Sequence, residues 1–270
     1  MRSATARFML LSSMTHLKGK RILLTRTAEQ NKSTAQLVKS MGAIPILFPC
    51  IHIDYFSTNI QQTIKDLQAG EIKNTDIIFS SSNGVKAVVS CVNNLKESLQ
   101  GFRIVAVGRK TAQTLIEHEC PPEIIPEKAS QQGLIIAYQQ QKPPQQAYFF
   151  RAEEGSDDLL LALKQQGVDT HLIPSYRASC PNDDATPIST QLSNKKIDAV
   201  LLGSAKTAAF YMRRIANLNF ANTPVIAVMS PQVEKAADKL GLKVQVIANK
   251  PSFSAMLQGL DDYFATQDKG

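Results

Sequence analysis

Hydroxyl side chains recur in this chain at one kind of place, where a short apolar run gives way to a helical pattern. Thr25 follows RILL, Ser80, Ser81 and Ser82 follow DIIF, Thr111 follows AVGRK, Ser204 follows AVLLG and Ser230 follows PVIAVM, while Ser130 and Ser252 precede later helical stretches. At such positions a serine or threonine oxygen satisfies the unpaired N–H groups of a first helical turn. The same N–H groups, with the positive end of the helix dipole, hold carboxylates and phosphates. Capping accounts for each hydroxyl singly; a parallel sheet that gathers them along one edge turns them into the lining of an anion site. Arg26 and Arg151 add full charges next to two of these turns, and Tyr176, followed by Arg177, adds a phenol on an extended run. For the arginines a local ion pair is the plainer account, and for the tyrosine a packing role.

Other chemistries lack their residues. There is no GxGxxG or GxxxxGK[ST] phosphate loop, and AVGRKT carries a single glycine. No GxSxG elbow or Ser–His–Asp grouping is present. Cys50, Cys91, Cys120 and Cys180 form no CxxC pair, and His16, His52, His118 and His171 show no ligand spacing with them, so a metal centre is not expected. Reduced thiols fit a cytoplasmic protein. The formal net charge is +7, with a pI near 9.2, which favours anionic partners. The basic runs KGKR and MRR are short and Trp is absent, so nucleic acid is not the expected anion. No apolar run approaches the ~20 residues that span a bilayer.

Two segments that must position these residues are copies of one another. RILLTRTAEQNKSTAQLVKSMGAIPILFPCIHI (21–53) and AYFFRAEEGSDDLLLALKQQGVDTHLIPSYRA (147–178) align so that Arg26 with Arg151, Gly42 with Gly167 and Pro49 with Pro174 share one offset of 125 residues. Short apolar runs alternate with helical patterns throughout, the mark of parallel α/β sheets covered on both faces. Strands are expected at 21–25, 44–53, 76–80, 103–107, 122–125, 147–151, 169–178, 198–202, 224–228 and 243–247, with helices in the intervals, among them one unbroken helix over 83–97. IPILFPCIHID and THLIPSYRASC are longer than the rest, carry internal prolines and hold equivalent places in the repeat, so they are expected to cross between domains. The expected architecture is two flavodoxin-like parallel-sheet α/β domains joined by a two-strand connection, with a cleft between them. One domain comprises 20–48 plus 175–267, the other 50–172, and 1–17 is expected to be a disordered extension.

The order and spacing of these motifs resemble the uroporphyrinogen-III synthase family. The likeness rests on Thr25–Arg26, Gly42, Phe48–Pro49, Asp76-Ile-Ile-Phe-Ser-Ser81 with Asn83 and Val85, Ala106-Val-Gly-Arg-Lys-Thr111, Ser130 with Leu134, Arg151 with Gly155, Gly167 and Ser175–Tyr176, and it covers roughly residues 20–266. Where relatives have a Gly-Pro-Thr-Thr-like turn this chain has Met229-Ser230-Pro231-Gln232-Val233, and Leu202-Gly203-Ser204 replaces a Phe-Thr-Ser strand end. The resemblance implies conversion of hydroxymethylbilane, a linear tetrapyrrole with acetate and propionate on each ring, into uroporphyrinogen III. Water is lost, the ring closes and ring D is inverted, with no metal or organic cofactor. It makes Tyr176 the candidate catalytic donor and Thr25, Arg26, Ser81, Ser82, Asn83, Gly108, Arg109, Thr111, Ser130, Arg151, Ser204, Ser230 and Ser252 the candidate substrate-binding set. It further implies a monomer, receiving substrate from hydroxymethylbilane synthase. The competing reading is a non-catalytic two-lobed module that binds an anionic ligand.

Overall fold

The computed structural model describes residues 15–70, 74–140 and 142–267. In chain order the elements are β1 (Arg21–Leu24), α1 (Ala28–Ser40), β2 (Ile44–Leu47), β3 (His52–Tyr55), α2 (Ser57–Ala69), β4 (Thr75–Phe79), α3 (Ser82–Val89), α4 (Leu95–Ser98), β5 (Arg103–Ala106), α5 (Arg109–Glu117) and α6 (Gln131–Gln139). There follow β6 (Gln146–Ala152), α7 (Asp158–Gln165), β7 (Asp169–Ser179), α8 (Thr186–Ser193), β8 (Ala199–Leu202), α9 (Ala205–Ile215), α10 (Leu218–Ala221), β9 (Val225–Val228), α11 (Pro231–Asp238), β10 (Val244–Ile247) and α12 (Phe253–Gln267).

Contacts divide the chain into two compact units, Met1–His52 with Ser179–Gly270, and Ile53–Ala178. The chain thus passes between units twice, within the two proline-bearing segments, a few residues later in each than the sequence places the boundary. The later boundary follows from pairing. β7 keeps its ladder with β6 as far as Tyr176, and β3 adds itself beside β7.

In the first unit the sheet order is β10-β9-β8-β1-β2, with every recorded pairing parallel. Successive strand residues point to opposite faces, and both faces are buried. Leu23, Val200, Leu202, Ile226 and Val228 pack beneath α9 and α11 with Tyr211 and Val233. Ile22, Leu24, Ala199, Leu201 and Ala227 pack against Val38 of α1 and Met256, Leu257 and Leu260 of α12. The second unit has the order β3-β7-β6-β4-β5. Ile77, Phe79, Ile104, Ala106 and Phe150 face one layer, and Ile78, Val105, Ala147 and Phe149 the other. Ile124 adds an isolated parallel bridge to Val105.

Written by repeat, the two orders are the same. β2-β1-β8-β9-β10 matches β7-β6-β4-β5-Ile124, the flavodoxin-like order 2-1-3-4-5. Each unit takes its first two strands from one repeat and its remaining strands from the other, so the duplication is exchanged between units and not divided into them.

Three expectations need correction. The run 44–53 is two strands, because the ladder ends with the Phe48 N–H to Leu24 O bond and Cys50 N–H then bonds Thr25 O. The helix over 83–97 breaks after Val89; Asn94 then caps α4 by accepting Glu97 N–H at 3.2 Å. Residues 122–125 make a single bridge, not a strand. Of the predicted extension, 1–14 lie outside the described residues, but Leu17 is fully buried and its N–H bonds Asp261 Oδ1.

Candidate functional site

Each parallel sheet delivers its strand-to-helix turns to its carboxyl edge, and the candidate residues fall on two such rims. In the first unit Ser204 caps α9, accepting Thr207 N–H at 3.1 Å, and Ser252 caps α12, accepting Ala255 N–H at 3.1 Å. Ser230 precedes α11 but its side chain makes no capping bond. Arg26 is half-buried, donates to Thr34 Oγ1 and lies with its guanidinium 4.5 Å over the Phe253 ring. Burial lowers its pKa from the ordinary arginine value. A Cβ on Gly203 would lie 2.9 Å from the Phe253 ring, so glycine is what lets that ring reach Arg26 beside the strand end. Thr25 faces inward. It is fully buried and its hydroxyl donates to Leu201 O, joining β1 to β8, so it is unavailable as a rim hydroxyl.

The residue that caps α1 is Thr27, which the sequence reading passed over; it accepts Gln30 N–H. Asn31, also missed, is buried and clasps the turn by donating to Leu24 O and Arg26 O while accepting Arg26 N–H. A Thr-x-x-x-Asn spacing at a predicted helix start was the available signal. Phe253 had only its aromatic character at a helix start to mark it.

On the second unit's rim, contacts run from one turn to the next. Ser81 caps α3 by accepting Gly84 N–H at 3.2 Å, and its Oγ lies 2.7 Å from Tyr176 Oη. Ser82 donates to Lys110 O at 3.2 Å, tying the start of α3 to that of α5. Gly108 caps α5; a Cβ there would come 3.1 Å from Ala129 Cβ, which keeps the Ser130 turn close. Ser130 caps α6 by accepting Gly133 N–H at 3.0 Å, and Gln131 reaches Ser156 O and Leu159 N at the start of α7. Asn83 and exposed Arg109 occupy first turns along this row. Thr111 is also in the first turn of α5, but it is buried.

A bulge aims Tyr176. Arg151 pairs with Pro174 and Ala152 with Tyr176, so Ser175 is the extra residue on β7. Bulges of this kind redirect the following side chain. Ser175 is buried, its hydroxyl donates to Ile173 O, and its carbonyl accepts Phe56 N–H. Glu153 N–H bonds Tyr176 O at 2.8 Å. The loop supplying that bond is held by Arg151, which donates to Ala152 O, Glu153 O and Asp157 Oδ1 and is almost wholly buried. Arg151 therefore supports the tyrosine from within and is not a rim cation. Gly155 is needed beside it, since a Cβ would lie 2.6 Å from Arg151 Nη1.

Asp76, in the motif leading to Ser81, is fully buried at the start of β4. It accepts Arg103 Nε at 2.7 Å and Nη2 at 3.0 Å, and the Tyr138 hydroxyl on its second oxygen. Burial, with the Asp76 charge, pushes the Tyr138 phenol well above its ordinary range, so it stays a donor. This network fixes β4 and does not reach the rim. Among the described residues no cluster of His, Cys, Asp or Glu is placed to hold a metal ion, and no helix is long and apolar enough to cross a membrane.

Each of the two α/β sheets thus carries capped helix starts along its carboxyl edge, with an arginine on an aromatic face at one and a hydrogen-bonded phenol at the other, and helix starts of this kind are suited to carboxylates and phosphates. The family model "Uroporphyrinogen-III synthase HemD" matches residues 32–258, and the chain belongs to that family, the cyclising lyases of tetrapyrrole biosynthesis. It is 26% identical over 257 residues to a uroporphyrinogen-III synthase of Synechococcus elongatus, covering 92% of this chain and 96% of the relative. To that of Chlorobaculum parvum it is 24% identical over 253 residues, covering 87% and 96%. Among solved structures, the uroporphyrinogen-III synthetase of Helicobacter pylori superposes with a TM-score of 0.59 at 16% identity, covering 88% of this chain and 97% of that one. A mutant uroporphyrinogen III synthase of Thermus thermophilus gives 0.57 at 18% identity, covering 92% and 100%. At such identities the two structures show the shared two-domain α/β fold.

Proposed function

We propose that this chain converts hydroxymethylbilane into uroporphyrinogen III, and that the Tyr176 hydroxyl is the donor that helps the ring-A hydroxyl depart. The observation that carries the reading is the placement of Tyr176 on the second unit's rim, 2.7 Å from the cap of α3, in a chain of this family. Departure of that hydroxyl leaves an electrophilic azafulvene. Ring D attacks it through its substituted carbon, and the spiro intermediate fragments and recloses in inverted order. Electron push comes from the pyrroles, so the protein's work is to hold the chain folded and to stabilise charge as it develops. An unguided bilane closes without inversion, and positioning must exclude that route.

The substrate's acetates and propionates suit the rims. First-turn N–H groups of α3, α5, α6, α9, α11 and α12 have no intrahelical partners beyond their caps, and Arg26 and Arg109 supply full positive charge. Ser82, Asn83, Gly108, Ser130, Ser204, Ser230 and Ser252 are the proposed contacts beside them. Thr25, Thr111 and Arg151 act from behind the surface. The protein works as a cytoplasmic monomer and takes its substrate from hydroxymethylbilane synthase. Purified protein is expected to accelerate hydroxymethylbilane consumption in the presence of EDTA as well as in its absence. Consumption at the spontaneous rate would overturn the proposal and favour a binding module.

A further inference from the structure

We infer that Ser81 is a positioning residue for the same reaction: its hydroxyl donates to Tyr176 Oη, so that the tyrosine's own hydrogen is directed outward, and the start of α3 is thereby coupled to the leaving hydroxyl. The inference rests on the role proposed above for Tyr176 and assigns to the cap a task that capping does not require.

A serine hydroxyl has one hydrogen and two acceptor sites. One acceptor site of Ser81 is taken by Gly84 N–H at 3.2 Å, and the remaining contact is Tyr176 Oη at 2.7 Å. Two arrangements satisfy that distance. If Tyr176 donated to Ser81, two donors would converge on one oxygen, and the phenol hydrogen would point toward the positive end of α3. If Ser81 donates, every dipole runs the same way, from Gly84 N–H through Ser81 to Tyr176 and out. The helix macrodipole favours the second arrangement, and aligned chains of hydrogen bonds polarise one another. Negative charge developing on the departing oxygen then meets a hydrogen backed by a helix start. The Ser175 bulge and the Glu153 N–H to Tyr176 O bond hold the tyrosine's backbone in place, so the Ser81 contact is the one that orients its hydroxyl.

The test uses substitutions that separate capping from donation. Glycine is tolerated at helix caps at little cost but offers no hydroxyl. Aspartate caps well but only accepts, so it captures the Tyr176 hydrogen. Threonine retains both functions. In the full chain, Ser81→Gly is expected to lower kcat for isomer-III formation roughly tenfold, with KM changed less than about threefold. Ser81→Asp is expected to fall to the level of Tyr176→Phe, and Ser81→Thr to restore most of the kcat lost in the glycine variant. Thermal melting is followed for each, to compare only folded enzymes. In the Tyr176→Phe background, Ser81→Gly should have no further effect, because its partner is gone. An equal loss from Ser81→Gly with and without the Tyr176 hydroxyl would overturn the inference, as would wild-type kcat in both Ser81→Gly and Ser81→Asp. Should the wild type form isomer III and those variants form it at the wild-type rate, the relay alone falls; should the wild type form none, the function and the relay fall together.

Discussion

Arg26 and Arg151 hold the same place in the two repeats and live in different surroundings. Arg26 stands half-buried on its rim against Phe253, whereas Arg151 is enclosed and spends its guanidinium on the loop behind Tyr176, with one nitrogen, Nε, left without a partner. Their substitutions are expected to part accordingly. Arg26→Ala should raise KM about tenfold with little change in melting temperature, because the charge proposed to face substrate is removed. Arg151→Ala should lower stability by about 3 kcal/mol, since the buried network around it is broken, and kcat should fall with it as Tyr176 loses its support. Steady-state kinetics and urea unfolding of the two variants check this. Equal effects on KM from both would show that Arg151 faces substrate. Tyr176→Phe belongs at the same scale: kcat should drop about 10- to 100-fold, corresponding to ~1.4–2.7 kcal/mol of lost transition-state stabilisation, with KM nearly unchanged. A variant as fast as wild type would remove the tyrosine from the chemistry.

At the scale of elements, strand and helix identity was legible wherever a buried β run such as DIIF met a capped helix, because period and cap agree there. Sequence reading lost accuracy where a backbone choice depends on distant partners. Phe48–Ile51 could continue β2 by propensity, but Cys50 N–H finds Thr25 O; Ser90–Asn94 could continue α3, but Asn94 starts a new turn. The rim was legible as a set of hydroxyls, while which of them face outward was not. Thr25 and Thr111 look like Ser81 in sequence and are buried, a difference settled by neighbouring strands and helices. The bulge at Ser175, which aims Tyr176, has no local signature beyond the preceding proline. In the sequence Asp76 stands out only as part of a motif, yet it anchors β4 to β5 through Arg103 and to α6 through Tyr138. Asp76→Asn should therefore destabilise the protein by about 3–5 kcal/mol, the cost of leaving a buried charge network incomplete. Activity per folded molecule should be retained. Chemical denaturation with an activity assay below the transition separates the two; a stable but inactive variant would contradict a purely structural role.

For the molecule as a whole, the exchanged repeat produces two rims of the same topology from one chain, and a net charge of +7 accompanies them. If recognition rests on the substrate's carboxylates, KM should rise with salt, since charges beyond ~8 Å are screened at physiological ionic strength. A KM that is flat from low to high salt would assign binding to apolar contact with the pyrroles instead. Rate and affinity still leave the defining act untouched, which is inversion of one ring against a spontaneous closure that does not invert. The most direct measurement supplies purified protein with hydroxymethylbilane, oxidises the products and separates the uroporphyrin isomers. Isomer III in excess, rising with enzyme concentration, is the predicted result, and isomer I at every enzyme concentration would contradict the account.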